Sequence, residues 1–551
     1  MISSARYWFL LLLILLVYLT GMFVTLFEND SAQFAVMAMR MVQENDFLNL
    51  FKGPIEYLDK PHMHYWLAAF SYKIFGIQDW AYRIPGILCT LLAGYSCFGL
   101  GKLLYNTNVG KLAALIFLTS QTIVLSTIDV RTDAVLTGFT IFAIWQLTAY
   151  INTNSLYNIV FGAFGAGIAF STKGQIALVV IGLPILCHLA YTRKWKMFLN
   201  WRVLVALLIF GITISPMLYA YYHQFDMHPE KIIRGKSDRS GIFFIFWEQS
   251  FERLSGEGIG KNSSDYFFFF HTFLWVFLPW TVVGVLAYIS RFKTFVKLKF
   301  SYNTKYEFLT LGGITLIFLL ISFAQFKLPH YLNIIIPLFS VLAASYLFSL
   351  KRFAKKKTIK TILGAQYFIL SLVFIIVALI CFYVFKFENS LYYGLFLLGF
   401  LIIYYCLKRE AYYLRIITVS VYASILLNVV LNGHFYPKLL EYQAGSTMAN
   451  KIKEHQIPID NIYKLSPGHT WALDFYNKRP VIISSIKEIK DKKDIWVYAT
   501  DKELTALGKQ GFDWDEQIIV NQFRITRLQA KFLNPNSRKK VLNKRYLIHI
   551  D

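Results

Sequence analysis

Charge is what this chain has least of. Asp, Glu, Lys and Arg make up only 16% of its 551 residues, and acids are the scarcer kind, 32 against 56 Lys and Arg. So little charge cannot cover the surface of a soluble protein of this length, which excludes that class. Cysteine is also rare. Cys89, Cys97, Cys187, Cys381 and Cys406 all fall inside hydrophobic runs, which excludes a disulfide framework or a cysteine metal centre and makes them small apolar fillers. No segment repeats at a fixed period, which argues against a transporter built from internal repeats. The first hydrophobic run ends in Leu26-Phe27-Glu28 without a small-x-small cleavage site, and it is expected to remain as a helix. What is abundant is apolar: 56% of residues are hydrophobic and 18% aromatic, with a mean hydropathy of +0.47. The chain reads as an α-helical polytopic membrane protein.

Runs of roughly 17–25 apolar residues, enough to cross a bilayer, occur at about thirteen places. The first covers 7–27 and the last 413–431, with a short one at 157–171 and single runs at 110–127 and 266–289. Cytoplasmic loops collect Lys and Arg. The basic stretches Arg193 to Lys196, Arg291 to Lys305, Lys351 to Lys360 and Lys408 to Arg415 share one side if all thirteen runs cross. The N-terminus is then cytoplasmic and the C-terminus outside, so the net charge of +24 is a topology signal and gives no reason to invoke nucleic acid.

Residues 1–432 form the expected transmembrane domain, with a first external loop at 28–79 and a second, polar and Gly-rich, at 223–265. The first loop contains short amphipathic segments expected to lie at the membrane interface. Residues 433–551 change character. Short β-type runs at 461–465, 480–483, 494–498 and 516–520 alternate with polar helical stretches, which predicts a small extramembrane α/β domain. It holds 20 Lys and Arg against 13 Asp and Glu, about +7.

The few charges near the apolar runs are placed systematically. Glu28 and Asp30 end the first run and lead into an amphipathic segment, a rigid mount for a carboxylate that can act as general base or metal ligand. Asp59-Lys60-Pro61 sets a cation ahead of a predicted helix start, where the helix dipole adds positive potential for a phosphate. Arg131 and Asp133, Lys173, and Lys327 with His330 and Tyr331 lie between further apolar runs. A single charge at a helix end is commonly interfacial decoration. Their common face argues instead for one polar site above the bundle. His62, His64 and His330 lack the spacing of a metal site. The phenylalanines of 267–270 and Phe273 suggest a lipid groove, and Gly162, Gly165 and Gly167 suggest close helix contact.

These motifs in this order resemble the family 39 type of integral-membrane glycosyltransferases, of the GT-C class, which includes protein O-mannosyltransferases and lipid A aminoarabinose transferases. The residues concerned are Asp30-Ser31-Ala32-Gln33-Phe34-Ala35, Leu58-Asp59-Lys60-Pro61, Arg131-Thr132-Asp133-Ala134, Gly167 to Gly174, Leu278-Pro279-Trp280 and Lys327-Leu328-Pro329-His330-Tyr331. The resemblance implies transfer of a sugar from a polyprenyl-phosphate donor to an envelope acceptor, a lipid A-like glycolipid, protein or glycan, at the outer face of a bacterial inner membrane, with inversion. Asp30 matches the family's acid, with Glu28 as its helper, and the two together are the candidate ligands of a divalent metal ion, the one cofactor implied. Ser31 replaces the family's second acid. For the donor phosphate the expected cations are Lys60, Arg253, Lys173 and Lys327. Asp59, Arg131, Asp133, His330 and Tyr331 would bind substrate or support the site.

Two other classes fit a polytopic chain. A flippase of lipid-linked sugars would place charges near the bilayer midplane in broken helices, whereas these sit at helix ends. A non-catalytic envelope protein that binds through its C-terminal domain would leave the charged first loop without a purpose.

Overall fold

A backbone in hydrocarbon must satisfy its own hydrogen bonds, and an apolar chain does so as helix. The computed structural model describes residues 3–249, 251–252, 265–353, 355–388, 390–468 and 470–551. Its helices follow the apolar runs closely. Among the described residues, seven helices are long and apolar enough to cross a membrane, including Ser4–Gly21, Asp79–Leu104, Thr132–Thr153 and Gln175–Thr192. Shorter apolar helices such as Thr107–Leu118 and Leu309–Phe323 complete the bundle.

The elements that position the site are α1 (Ser4–Gly21), α2 (Asp30–Gln43), α3 (Met63–Phe75), α4 (Asp79–Leu104), α5 (Thr107–Leu118), α6 (Gln121–Ser126), α7 (Thr132–Thr153), α8 (Leu156–Lys173), α9 (Gln175–Thr192) and α10 (Arg202–Tyr221). The run at 110–127 is two helices, broken at Thr119 and Ser120. The run at 266–289 likewise divides into Phe268–Val276 and Thr281–Lys297, because Pro279 has no N–H to continue the helix. The short run at 157–171 is a full helix, α8.

Burial orders the bundle from centre to rim. The apolar window of α7 is 78% buried, while that of Arg202–Asp226 is 17% buried and presents Leu204, Leu207 and Leu208 outward. α7 packs against both α4 and α8, and glycine allows it. A Cβ on Gly138 would stand 2.6 Å from the Cys89 carbonyl oxygen of α4, and one on Gly162 would stand 2.7 Å from Leu147 of α7.

Each passage reverses direction, so the polar ends of α7 and α8 meet. Lys173, the last residue of α8, touches Asp133 in the first turn of α7. The basic loops meet one another: the Tyr191 hydroxyl, near Arg193, bonds the carbonyls of Ser301 and Asn303, and Lys351 and Lys360 lie over the rings of Tyr413 and Tyr412, beside Arg415. An ion pair between Arg6 and Glu410 puts the start of α1 there too.

The segment at 28–79 folds differently from the interfacial helices expected. α2 is buried from Ser31 to Met39, in one apolar cluster with Tyr65, Trp471, Ala472 and Phe475. It lies between α3 and the C-terminal region, so its apolar face meets protein. Two short strands, β1 (Phe51–Lys52) and β2 (Ile55–Glu56), form a hairpin beyond it.

The C-terminal region holds a five-stranded sheet of β3 (Ile462–Lys464), β4 (Ile482–Ile483), β5 (Ile495–Thr500), β6 (Gln517–Gln522) and β7 (Asn543–Ile550), in the order β4-β3-β5-β7-β6. β4, β3 and β5 are parallel, and β7 runs antiparallel to both β5 and β6. Four of these strands coincide with the predicted runs. β7 is additional, and it occupies an interior position in the sheet.

Candidate active site

Asp30 opens α2, where a carboxylate complements the helix dipole. Arg131, just before α7, reaches it: Nη1 donates to Asp30 Oδ2 at 2.9 Å, while Nη2 and Nε donate to Asp129 Oδ2 at 2.7 and 3.1 Å. The same Nη1 faces His330 Nδ1 at 3.4 Å, and His330 Nε2 stands 3.6 Å from Asp133 Oδ2. Since Nδ1 faces a donor, the imidazole proton belongs on Nε2 towards Asp133. Lys173 Nζ bonds Asp133 Oδ1 at 2.7 Å and lies 4.8 Å from the centre of the Tyr331 ring. Lys60 Nζ lies 4.7 Å from the Phe34 ring of α2, close enough to act on the charges of both Asp30 and His330.

One polar cluster therefore gathers residues from five separate stretches of sequence. Burial pushes the Asp30 carboxyl up, but Arg131 and then Lys60 pull it below the ordinary carboxylate range. Asp30 is ionised at neutral pH, and its side chain is 36% exposed, so an acceptor can reach it. Burial drives the His330 imidazole down to about 3, which keeps it neutral.

An apolar cavity of about 260 Å³ opens beside the cluster. Leu136, Ile176, Val179, Ile321 and Ile334 form its walls, and Lys173 and Tyr331 set its polar edge. An apolar recess with a cation at its rim fits an amphiphile with an anionic head. The phenylalanines suggested for a lipid groove are elsewhere: Phe269 is buried against Phe318, Phe267 and Phe270 are exposed, and Phe251 and Phe326 line the cavity instead.

The remaining sequence candidates divide. Asp59 pairs with Arg234 of the segment 223–265, and its backbone carbonyl accepts from Gln249 Nε2. Lys327 is buried against Tyr266, beside the cavity residue Phe326. Arg253 lies outside the described residues. Pro61 does not open α3, which starts two residues later at Met63. Position 31 is fully buried, so the serine there does not face the open cluster. His62 and His64 are held by the Leu48 carbonyl and the Tyr82 hydroxyl, each at 2.9 Å.

Glu28 requires a correction. Its carboxyl accepts from the Ala472 amide of the C-terminal region, whereas Asp30 accepts from Arg131. The donor set for a divalent metal at Asp30 and Glu28 does not fit. The two acids do not converge, and Arg131 already holds Asp30 Oδ2. Among the described residues the one group with metal-ligand proximity is Asp515, His549 and Asp551, exposed on the C-terminal sheet.

Residues that the sequence did not single out tie the segments 28–79 and 223–265 together. Gln224 bonds both the N–H and the carbonyl of Leu50, at 2.9 and 2.8 Å. The Tyr221 hydroxyl donates to the Leu58 carbonyl at 3.1 Å, and Lys231 pairs with Glu56 at 2.7 Å. The described arginines of the latter segment, Arg234 and Arg239, are themselves paired with Glu248 or Glu252.

Comparison with known proteins gives the same picture from outside. Residues 59–219 match the family described as dolichyl-phosphate-mannose-protein mannosyltransferase. An undecaprenyl phosphate-alpha-4-amino-4-deoxy-L-arabinose arabinosyl transferase of Proteus mirabilis is 24% identical over 61% of this chain and 58% of its own length. One from Edwardsiella ictaluri is 24% identical over 58% of this chain and 54% of its own. The chain thus aligns with under three fifths of each of these relatives. ArnT from Cupriavidus metallidurans, solved bound to undecaprenyl phosphate, superposes with a TM-score of 0.76 over 99% of this chain and 98% of that one, at 15% identity. The apo oligosaccharyltransferase of Archaeoglobus fulgidus reaches 0.52 over 90% of this chain and 70% of its own, at 11% identity. The fold is similar to that of ArnT over 99% of this chain and to that of the oligosaccharyltransferase over 90%.

Proposed function

We propose that the chain is a membrane glycosyltransferase that moves a sugar from a polyprenyl-phosphate donor to a cell-envelope acceptor. The observation that carries this reading is the meeting of one accessible, ionised carboxylate with several cations at the rim of an apolar cavity. The names of the relatives, which take undecaprenyl-phosphate donors, support the donor class. A lipid A-like glycolipid, a protein hydroxyl or a glycan suits an acceptor approaching from the site end. The basic loops at the other end support a cytoplasmic N-terminus and a periplasmic site and C-terminal region.

In this reading the isoprenoid lies along the cavity and its phosphate reaches Lys173 and Lys60. The acceptor hydroxyl binds at Asp30, which takes its proton as the oxygen bonds to the anomeric carbon. The bond from that carbon to the phosphate oxygen breaks on the opposite side, and its electron pair leaves with the phosphate. A leaving phosphate whose second pKa is about 6 needs charge stabilisation more than a proton, which the lysines supply. One displacement inverts the anomeric centre. Arg131 holds Asp30 ionised, while Asp133 and neutral His330 fix Lys173 and Arg131 in place.

Full-length protein reconstituted in lipid, with radiolabelled polyprenyl-phosphate sugar and an envelope extract, tests the proposal. Native protein should label an acceptor, whereas Asp30→Asn and Lys60→Ala should not. Donor crossing between leaflets without transfer would refute it and favour a flippase.

A further inference from the structure

Glu28 sits two residues before Asp30, yet its carboxyl is enclosed by the C-terminal region. The Ala472 N–H donates to both of its oxygens, at 3.3 and 3.4 Å. Gly445 leaves the room for it, since a Cβ there would stand 2.8 Å from Glu28 Oε2. The backbone on either side is held as well. The Glu28 N–H donates to Gln443 Oε1 at 2.7 Å, and Gln443 Nε2 donates to the Leu26 carbonyl at 2.8 Å. The Leu26 N–H donates to the Tyr476 hydroxyl at 2.9 Å, and that hydroxyl donates to Asp79 at 3.1 Å. From this fixed turn the chain passes directly into α2, where the Ala32 N–H bonds the Phe27 carbonyl and the Gln33 N–H bonds that of Asn29. Asp30 lies inside those two bonds.

We propose that Glu28 is a positioning residue, through which the C-terminal region holds the turn that presents Asp30 to the acceptor. The proposal rests on the transferase reading. It makes the C-terminal region a working part of the transfer site.

The surroundings also make this anchor sensitive to protons. Asp474, Lys464 and Tyr498 of the C-terminal region face Glu28, and Asp30 on its own segment is bonded to Arg131. Lys464 Nζ donates to Thr470 Oγ1 at 2.6 Å, and that hydroxyl donates to Asp474 at 3.1 Å. Burial pushes Glu28 up to about 8, with amide hydrogen bonds opposing and Asp474 adding to the rise, while burial pushes Asp474 up to about 6. Both docked values lie above those of the free acids. The anchor's contribution is therefore complete in acid and is lost as pH rises through about 8, where Glu28 ionises beside an already charged Asp474.

The test uses full-length protein in lipid, measuring kcat, affinity for undecaprenyl phosphate, and amide hydrogen exchange at 26–33. Glu28→Ala should lower kcat by about tenfold to a hundredfold, the effect of a small misplacement of a reacting group. Affinity for undecaprenyl phosphate should stay unchanged, and exchange at 26–33 should accelerate. Gly445→Ala, which crowds the carboxyl without removing it, should act in the same direction. Glu28→Gln should keep most of the rate at neutral pH and lose the decline above pH 8 that the native protein shows. Native kcat and slow exchange in both Glu28→Ala and Gly445→Ala would overturn the proposal. If the native protein transfers no sugar, the transferase reading fails, while exchange at 26–33 still decides whether Glu28 is the anchor.

Discussion

Replacing Lys173 by Met removes one half of the buried pair between α7 and α8. The side chains of Lys173 and Asp133 are 8% and 4% exposed and 2.7 Å apart, so water cannot take over the role of the lost ammonium. Removing one partner of such a pair costs about 3–5 kcal/mol, because a charge remains buried and unbalanced. Here the cost should fall near the lower end, about 3 kcal/mol, because His330 still stands 3.6 Å from Asp133 Oδ2. His330 should also moderate the loss in acid. The Lys173 charge helps hold its imidazole down, so in the variant His330 protonates more readily and replaces the missing cation. The loss should therefore be smaller at pH 5 than at pH 8. The assay is reversible SDS unfolding in mixed micelles at both pH values, for Lys173→Met, Asp133→Leu and the double variant. The double variant should recover most of the stability but not affinity for undecaprenyl phosphate. A single-variant loss under about 1 kcal/mol, or a double variant as unstable as the sum of the singles, would refute the account.

Arg131→Gln removes the strongest opponent of proton binding at Asp30. Its carboxyl should rise, and the acid side of the pH–rate profile should move to higher pH. Gly138→Ala sets a methyl group 2.6 Å from the Cys89 carbonyl oxygen and should destabilise the bundle by about 1–3 kcal/mol in the same unfolding assay. Gln224→Ala leaves the buried Leu50 N–H unpaired, while the Leu50 carbonyl keeps the Tyr57 N–H at 2.8 Å. It should cost about 1–3 kcal/mol and expose the 45–60 segment to limited proteolysis.

The polar cluster was legible because its members interrupt apolar runs at helix ends, where a count of crossings assigns each to a side. Asp133 and Lys173 meet for that reason. Glu28 was not legible, since a turn at 27–29 cannot be read from spacing and the Ala472 amide that holds its carboxyl lies in a distant segment. Gln224, Gln249 and Arg234 sit in a polar loop without periodicity, so nothing marked them as sutures. The break at Pro279 lay hidden because hydropathy scores a proline-interrupted run like a continuous one. β7 escaped because it begins with Asn543, Lys544 and Arg545 and then buries three residues in succession, without the alternation that announces a half-exposed strand.

β7 follows every other strand in the chain yet lies between β5 and β6. In the proposed topology, the sheet cannot close during synthesis until residues 543–550 have crossed to the site side, by which point the helices ahead of them have been made. The grip on Leu26 and Glu28 consequently comes late, and Asp30 is fixed in place only on a bundle already inserted. Order of synthesis thus separates building the lipid-facing body from completing the site proposed for transfer.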